Sequence, residues 1–413
     1  MTISDNGTYS DQGRVTATGG IGGIEINETT TKEIILGENI LNPSVQTAIT
    51  FNRYLYGDNQ NLDQLKGKTL NVTLQSSLTS SFSRPIPMNI ENTVYRLDNR
   101  RLINQSPSSI EEFTVHACHE TLLDDAKHLM SKSWNCATPN EIVNAALDCV
   151  KAGPRTVDPC DPQRDYIAEN IHPFRVISQQ ANVALDGDDP SFVHYMTYEN
   201  GGTHYFRSLK KLISAGPVMT YYYSDGGESE TGPSTLPVNP YPIMVNFPCD
   251  FDYLTDLLNG VDINGNNVNT GTFFNLINMG MNLFGMDGGA MSGIAGGIGS
   301  CFEGGNMKQS WTNKGNSHKD YGCETDVEKY LLKRQARMAL LDRDKIALRM
   351  VTTWNPYLHV GHIIELKWES KNGGMVYGSG EYLVTSMMHK IQLGGYSTAT
   401  IDCVSKDVLQ RTM

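Results

Sequence analysis

The sequence reads as an α+β protein, mostly antiparallel β, and three observations carry that reading. Short runs of alternating apolar and polar residues are bounded by glycine and asparagine, the period of half-buried strands. Glycine is frequent, 39 in 413 residues, and no helical heptad runs through the chain. Helical spacing is clearest in two stretches in the middle, within residues 138–185. At roughly 100–200 residues per domain, a chain of this length holds several domains rather than one core.

The β pattern is clearest near the C-terminal end. The runs His362–Trp368, Tyr382–Leu393 and Tyr396–Val404 follow the glycine turns at Gly361, Gly378-Ser379-Gly380 and Gly394-Gly395. With Ile346–Thr352 upstream they predict four strands in a meander, enough for a small barrel.

Taken in order, residues 1–32 are rich in Gly, Thr, Ser and Asn and predict an arm or a glycine-bent first strand over 21–26. From Glu33 the pattern tightens. Ile34-Ile35-Leu36, Thr47–Phe51, Leu70–Leu74, Thr93–Leu97 and Phe113–Ala117 predict a second β set within residues 33–120. Pro43, Pro85 and Pro87 fall between these runs, where they interrupt no ladder.

Residues 121–212 change character. Leu122–Lys132 reads as a link. Thr138 is an N-cap, Pro139 a first helical residue, and Glu141 completes a capping box. Ile142, Val143, Ala146, Leu147 and Val150 then share one helical face. A second helix is predicted over Pro173–Leu185, with Phe174, Ile177, Ala181 and Ala184 on one stripe. Asn200-Gly201 between Phe192–Tyr198 and Thr203–Leu209 predicts a hairpin.

Residues 213–326 read as an insertion, with β-like runs at Tyr221–Tyr223 and Tyr241–Phe247. Its stretch Phe273–Phe302 carries one charge, Asp287. Glycine is too frequent there for a stable membrane span. The expectation is a glycine- and methionine-rich loop packed between subunits or ordered by a partner. A last helix and the C-terminal β set fill residues 327–413.

The net charge of −12 argues against a general nucleic-acid binder, which needs a basic face. The eight cysteines are scattered with no CxxC pair, so a zinc ribbon is not expected and reduced thiols are. The first residues, Met-Thr-Ile-Ser-Asp, lack the basic-plus-apolar pattern of a secretion signal. His116, Cys118 and His119 have ligand-type side chains, with His128 nearby. On a strand His119 points away from the other two, so packing is expected rather than a metal site. Asp262-Ile-Asn264-Gly-Asn266 departs from a calcium loop at Asn267 and Phe273. His359 and His362 are three apart, but no HExxH, GxSxG or phosphate-binding glycine loop occurs. No catalytic, cofactor-binding or metal residues are expected, and the chain is not expected to be an enzyme.

Three motifs together resemble a known family. The first is Glu38-x-Ile40-x-x-Pro43-x-Val45, followed by Gly67-x-x-Leu70-x-Val72. The second is Phe192-Val-His-Tyr195, then Glu199-x-Gly201, then Phe206-x-Ser208-Leu209, with Asn239-Pro-Tyr-Pro242 after it. The third is Leu358-x-x-Gly361, Gly380-x-Tyr382-x-Val384-x-x-x-x-His389 and Tyr396-x-Thr398. This pattern is similar to the baseplate hub proteins of contractile-tailed, T-even-like myoviruses, related to the hub part of type VI secretion spikes.

The resemblance implies two tube-forming β-barrel domains flanking the helical insertion. It also implies a homotrimer forming a pseudo-sixfold ring between the tail tube and a central spike. Implied partners are the spike protein below, a tail-tube or tube-initiator protein above, and baseplate wedge proteins. DNA would pass through the lumen without specific binding, in a virion assembled in a bacterial cytoplasm. The chain stops soon after its last β run, so a spike is expected to be a separate protein. Two other readings stand beside this one. A hub of a tailocin or secretion machine has the same pattern. A peptidoglycan-degrading or carbohydrate-binding tail component would need clustered aromatics, and Trp134, Trp311, Trp354 and Trp368 do not cluster in sequence.

Overall fold

The computed structural model describes residues 14–54, 62–76, 87–103, 110–224, 235–237, 243–245, 330, 333–334, 337–341, 347–369, 374–375 and 378–411. The Phe273–Phe302 stretch and the Asp262–Asn267 turn lie outside them.

The first β set comprises β1 (Val15–Ile21), β2 (Ile24–Glu25), β3 (Thr31–Asn39), β4 (Gln46–Tyr54), β5 (Thr69–Ser76), β6 (Met88–Leu102) and β7 (Ile110–His119). The middle region holds α1 (Glu120–Lys127), β8 (Met130–Ala137), α2 (Pro139–Cys149), β9 (Arg155–Val157), β10 (Arg164–Ile171), α3 (Pro173–Ala181), β11 (Phe192–Thr197), β12 (Thr203–Ser208) and α4 (Leu209–Ser214). Then come β13 (Met219–Ser224), β14 (Thr235–Pro237), β15 (Ile243–Val245), β16 (Leu348–Thr353), β17 (Ile363–Glu369), β18 (Gly380–Ile391), β19 (Thr398–Ser405) and α5 (Lys406–Arg411).

Both strand sets belong to one 14-stranded sheet. They join where β3 pairs antiparallel with β18. Alternate residues of the ladder, such as Ile34, Leu36, Ile49, Val72 and Ile401, are buried in one apolar core. A second core fills the middle region. It sets Ile142, Val143, Ala146 and Leu147 of α2 against Val176 and Ile177 of α3, with Phe192 and Phe206 stacked beneath at 5.0 Å between ring centroids. The Thr138 amide donates to Glu141 Oε2 (2.9 Å), as the capping pattern requires.

The structure departs from the sequence expectations in four places. The C-terminal strands are not a simple meander: β16 pairs with β19, the last strand, rather than with β17. Tyr396 lies before β19, in the turn, and its side chain is exposed. The second helix stops at Ala181, because Val183 and Ala184 turn back to donate to the Gln180 carbonyl. Residues 122–132 are not a link but contain most of α1 and the start of β8, with the His119 imidazole capping α1. The five described cysteines, Cys118, Cys136, Cys149, Cys160 and Cys403, are free thiols.

Candidate functional site

The junction of the two sets is the most heavily built polar site among the described residues, and it is organised on β18. One edge of β18 is held by β19 over Tyr382–Lys390. The other edge is shared: β17 takes Gly380–Leu383 and β3 takes Ser386–Ile391. Between them the ladder changes partner. Gly361 N donates to Val384 O, Val384 N to His362 O, and Ile40 N to Thr385 O, each at 2.9 Å. A change of partner leaves backbone donors stranded beside it, and a buried unpaired N–H is costly.

Glu38 satisfies two backbone donors that neighbouring segments bring to this place. Its carboxylate accepts from Tyr198 N (2.8 Å) and Val360 N (3.1 Å), and His359 Nδ1 lies 2.9 Å away. One side chain of β3 thereby ties the middle region and the approach to β17 to the first β set. Burial alone would raise the Glu38 carboxyl, but the His359 charge and hydrogen bond outweigh it and hold the group below its usual range. Burial likewise pushes His359 down, and Glu38 reverses this and raises it. The two form a buried ion pair. Beside them, Trp354 Nε1 donates to His389 Nδ1 (3.1 Å), which puts the His389 proton on Nε2. Burial holds His389 near 4, so it is neutral.

Tyr195 meets Gly361 at the same place. Gly361 has φ +84°, and a Cβ there would lie 2.3 Å from Tyr195 Oη. Tyr195 stacks on Tyr205 with centroids 5.1 Å apart, and the Tyr205 hydroxyl donates to the Glu199 carboxylate. Gly361→Ala is expected to lower stability by about 2–5 kcal/mol, combining a left-handed backbone penalty with overpacking. Tyr195→Leu in that background removes the overpacking and restores part of the loss. A chemical denaturation series on the single and double variants checks this.

The structure thus gathers Glu38, Tyr195, Glu199, Gly361, Val384 and His389 around one seam. The other motif residues do separate work. Gly201, at φ +83°, follows Asn200 at φ +52° in the turn between β11 and β12. Phe206 fills the second core. Ser208 caps α4, accepting from Lys211 N (3.2 Å) and donating to Asp186 Oδ2 (2.6 Å). Leu209 is buried, and its amide donates to Ser191 O (2.9 Å). Tyr382 donates to Gly378 O (2.6 Å). Pro43 lines a cleft of about 300 Å³ with Ile40, Leu41, Phe174, His194 and Arg334.

Arg334 and Arg337 were missed by sequence reasoning. Arg334 donates to Asn182 Oδ1 (3.0 Å), Pro190 O (3.0 Å) and Phe192 O (2.7 Å). Arg337 forms a buried ion pair with Asp189. Together they fasten the helical residues 333–334 and 337–340 to the middle region. Two arginines three apart in a helical stretch were the available signal. His119, His194 and His204 form a second polar cluster. His194 Nε2 lies 3.2 Å from His204 Nδ1, and His204 Nε2 lies 3.1 Å from Thr121 Oγ1. No group of three or more His, Cys, Asp or Glu among the described residues is arranged to hold a metal ion. No helix among them is long and apolar enough to cross a membrane.

This mostly antiparallel β architecture with a small helical middle is a fold found in solved tail proteins. It matches the 43 kDa tail protein of prophage MuSo2 from Shewanella oneidensis with a TM-score of 0.50 and 11% identity, over 96% of this chain and 98% of that one. The tail protein from Neisseria meningitidis MC58 gives 0.49 at 10% identity, over 97% and 99%. An E. coli type VI secretion component, itself similar to T4 bacteriophage tail proteins, gives 0.46 at 10% identity, over 95% and 76%. No protein-family model and no curated protein matches the sequence.

Proposed function

We propose that the chain is a structural baseplate hub subunit of a contractile phage tail. Three copies form a pseudo-sixfold ring that joins a sixfold tail tube to a threefold central spike. The observation that carries this reading is a repeat of topology within one chain. In the first set the order is β4-β7-β6-β5; in the second it is β16-β19-β18-β17. Numbered along the chain, both read first, fourth, third, second, and every pairing is antiparallel. In both, the fourth strand runs straight into a helix, α1 after β7 and α5 after β19. Two equivalent units per chain make six in a trimer, which is what a three-to-six symmetry adaptor requires.

The likeness to the Shewanella oneidensis prophage tail protein along nearly the whole of both chains supports the same reading. In this role the two sets form tube-like barrels and transmit force without catalysis. The spike and the tube are neighbours, wedge proteins flank the ring, and the acidic chain lets DNA pass without holding it. Light scattering coupled to size exclusion, with negative-stain images, is expected to give a trimer with a central hole. A chain that stays monomeric with candidate spike proteins, or that clears a peptidoglycan zymogram, overturns the reading.

A further inference from the structure

We propose that the outer edge of β6, from Tyr95 to Leu102, is the docking strand for β15 of a second copy of this chain. The inference rests on the ring reading above and specifies the contact that closes it. The intrachain seam supplies its template. At that seam Gly361 N donates to Val384 O and Val384 N to His362 O. The first set has the same pair of bonds: Gly67 N donates to Val94 O (2.8 Å) and Val94 N to Lys68 O (3.0 Å). Gly67 and Gly361 share a left-handed backbone, at φ +77° and +84°. One residue further on, both third strands slip register against the fourth, between Val94 and Arg96 in β6 and between Val384 and Ser386 in β18.

Beyond the slip the two units differ. In the second set the edge Ser386–Ile391 is covered by β3. In the first set the corresponding edge of β6 carries no strand among the described residues. An uncovered edge is a template for another strand. Its side chains fit that role. β6 has a second register slip, between Asp98 and Arg101, that β18 lacks, so Leu102 matches Ile391. Tyr95 is 46% exposed and Leu102 63% exposed, whereas Ile391 is fully buried against β3.

The occupant follows from the same repeat. β3 covers β18 while pairing with β4, with Ile34 opposite Ile49 and Leu36 opposite Thr47. Its counterpart is β15, with Ile243 opposite Met350 and Val245 opposite Leu348 on β16. The β3 segment Ile34-Ile35-Leu36 thus corresponds to Ile243-Met244-Val245. β15 has β16 as its one strand neighbour among the described residues. In a single copy β15 and β6 are separated along the ladder by β16, β19, β18, β3, β4 and β7. Pairing them between copies repeats the intrachain seam head to tail, the contact a closed ring uses.

The test is a Leu102→Cys, Ile243→Cys double variant, oxidised after assembly and run on a non-reducing gel. Covalent dimers and trimers are expected from the double variant and from neither single variant. A trimer seen by light scattering that runs as monomer on that gel, or a cross-link within one chain, overturns the docking contact and leaves the ring reading standing. The absence of any oligomer, with or without spike partner, overturns both. A measurement on the unaltered protein guards against misfolding of the variant. Amide hydrogen exchange across residues 95–102 is expected to slow at least tenfold between isolated chain and trimer, and an unchanged rate overturns the contact.

Discussion

Replacing Glu38 by alanine is expected to destabilise the protein by about 3–5 kcal/mol, the range for breaking a buried ion pair from one side. The change removes the acceptor for Tyr198 N and Val360 N and leaves His359 buried without its counter-ion. Glu38→Gln keeps one acceptor oxygen but presents an amide donor to the remaining partners, so an intermediate loss is expected. Removing both charges with Glu38→Leu and His359→Leu should recover part of the alanine loss, because a one-sided deletion costs more than removal of the pair. The loss should also be localised. Amide exchange at Ser386–Ile391, the β18 segment that β3 covers, is expected to accelerate before that of Val72 or Leu74 in the body of the first set. Urea denaturation of the three variants checks the order; a cost under about 1 kcal/mol for Glu38→Ala would show that the seam does not depend on the carboxylate.

The sequence made some of this legible and hid the rest for identifiable reasons. Runs such as Leu70–Leu74 and the hairpin at Asn200-Gly201 were readable because period and turn chemistry are local. Thr138, Pro139 and Glu141 marked a helix start for the same reason. The motif residues Glu38, Tyr195 and Gly361 were also readable as positions, but their shared purpose was not. Glu38 meets partners 160 and 321 residues away in sequence, and no local pattern encodes such a contact. The pairing of β16 with β19 was hidden because a meander and a closed first-to-fourth order have the same strand pattern. Two barrels were expected from the resemblance, but no repeat shows in the sequence for a related reason: the matching segments share hydrogen-bonding order, while Ile34-Ile35-Leu36 and Ile243-Met244-Val245 share only apolar character. Residues 122–132 gave no clear period because α1 is short and the exposed face of β8 is polar.

Acidification is expected to unfold the protein well above the pH at which carboxylates alone would do so. Burial holds His119, His362 and His389 near 4 and His194 near 3, and it depresses His204 as well, with the neighbouring His194 and His119 adding to the effect. In the unfolded chain each would titrate near its ordinary value of about 6.5. Between that value and the folded values the unfolded state binds more protons, so stability falls as pH falls. Each such imidazole contributes up to about 1.4 kcal/mol per pH unit in this window. Several acting together remove on the order of 5 kcal/mol by pH 5, a large part of the roughly 5–15 kcal/mol that holds a domain folded. His359 acts in the opposite sense: its contribution is complete below about 6.5 and is lost as pH rises through its raised folded value. Its contribution is therefore constant through the window in which the depressed imidazoles titrate, and it does not offset their loss. Glu38 adds to the acid loss later, since its contribution, present above the ordinary carboxyl range, disappears as pH falls through its lowered folded value. Thermal midpoints from pH 7.5 to 4.5 are expected to fall steeply below about 6, and a His194→Phe variant should flatten the slope because one depressed imidazole has been removed. A midpoint that stays level down to pH 5 would mean these rings take up protons without unfolding, through water reaching the space between β11, β12 and α1 where His194, His204 and His119 meet.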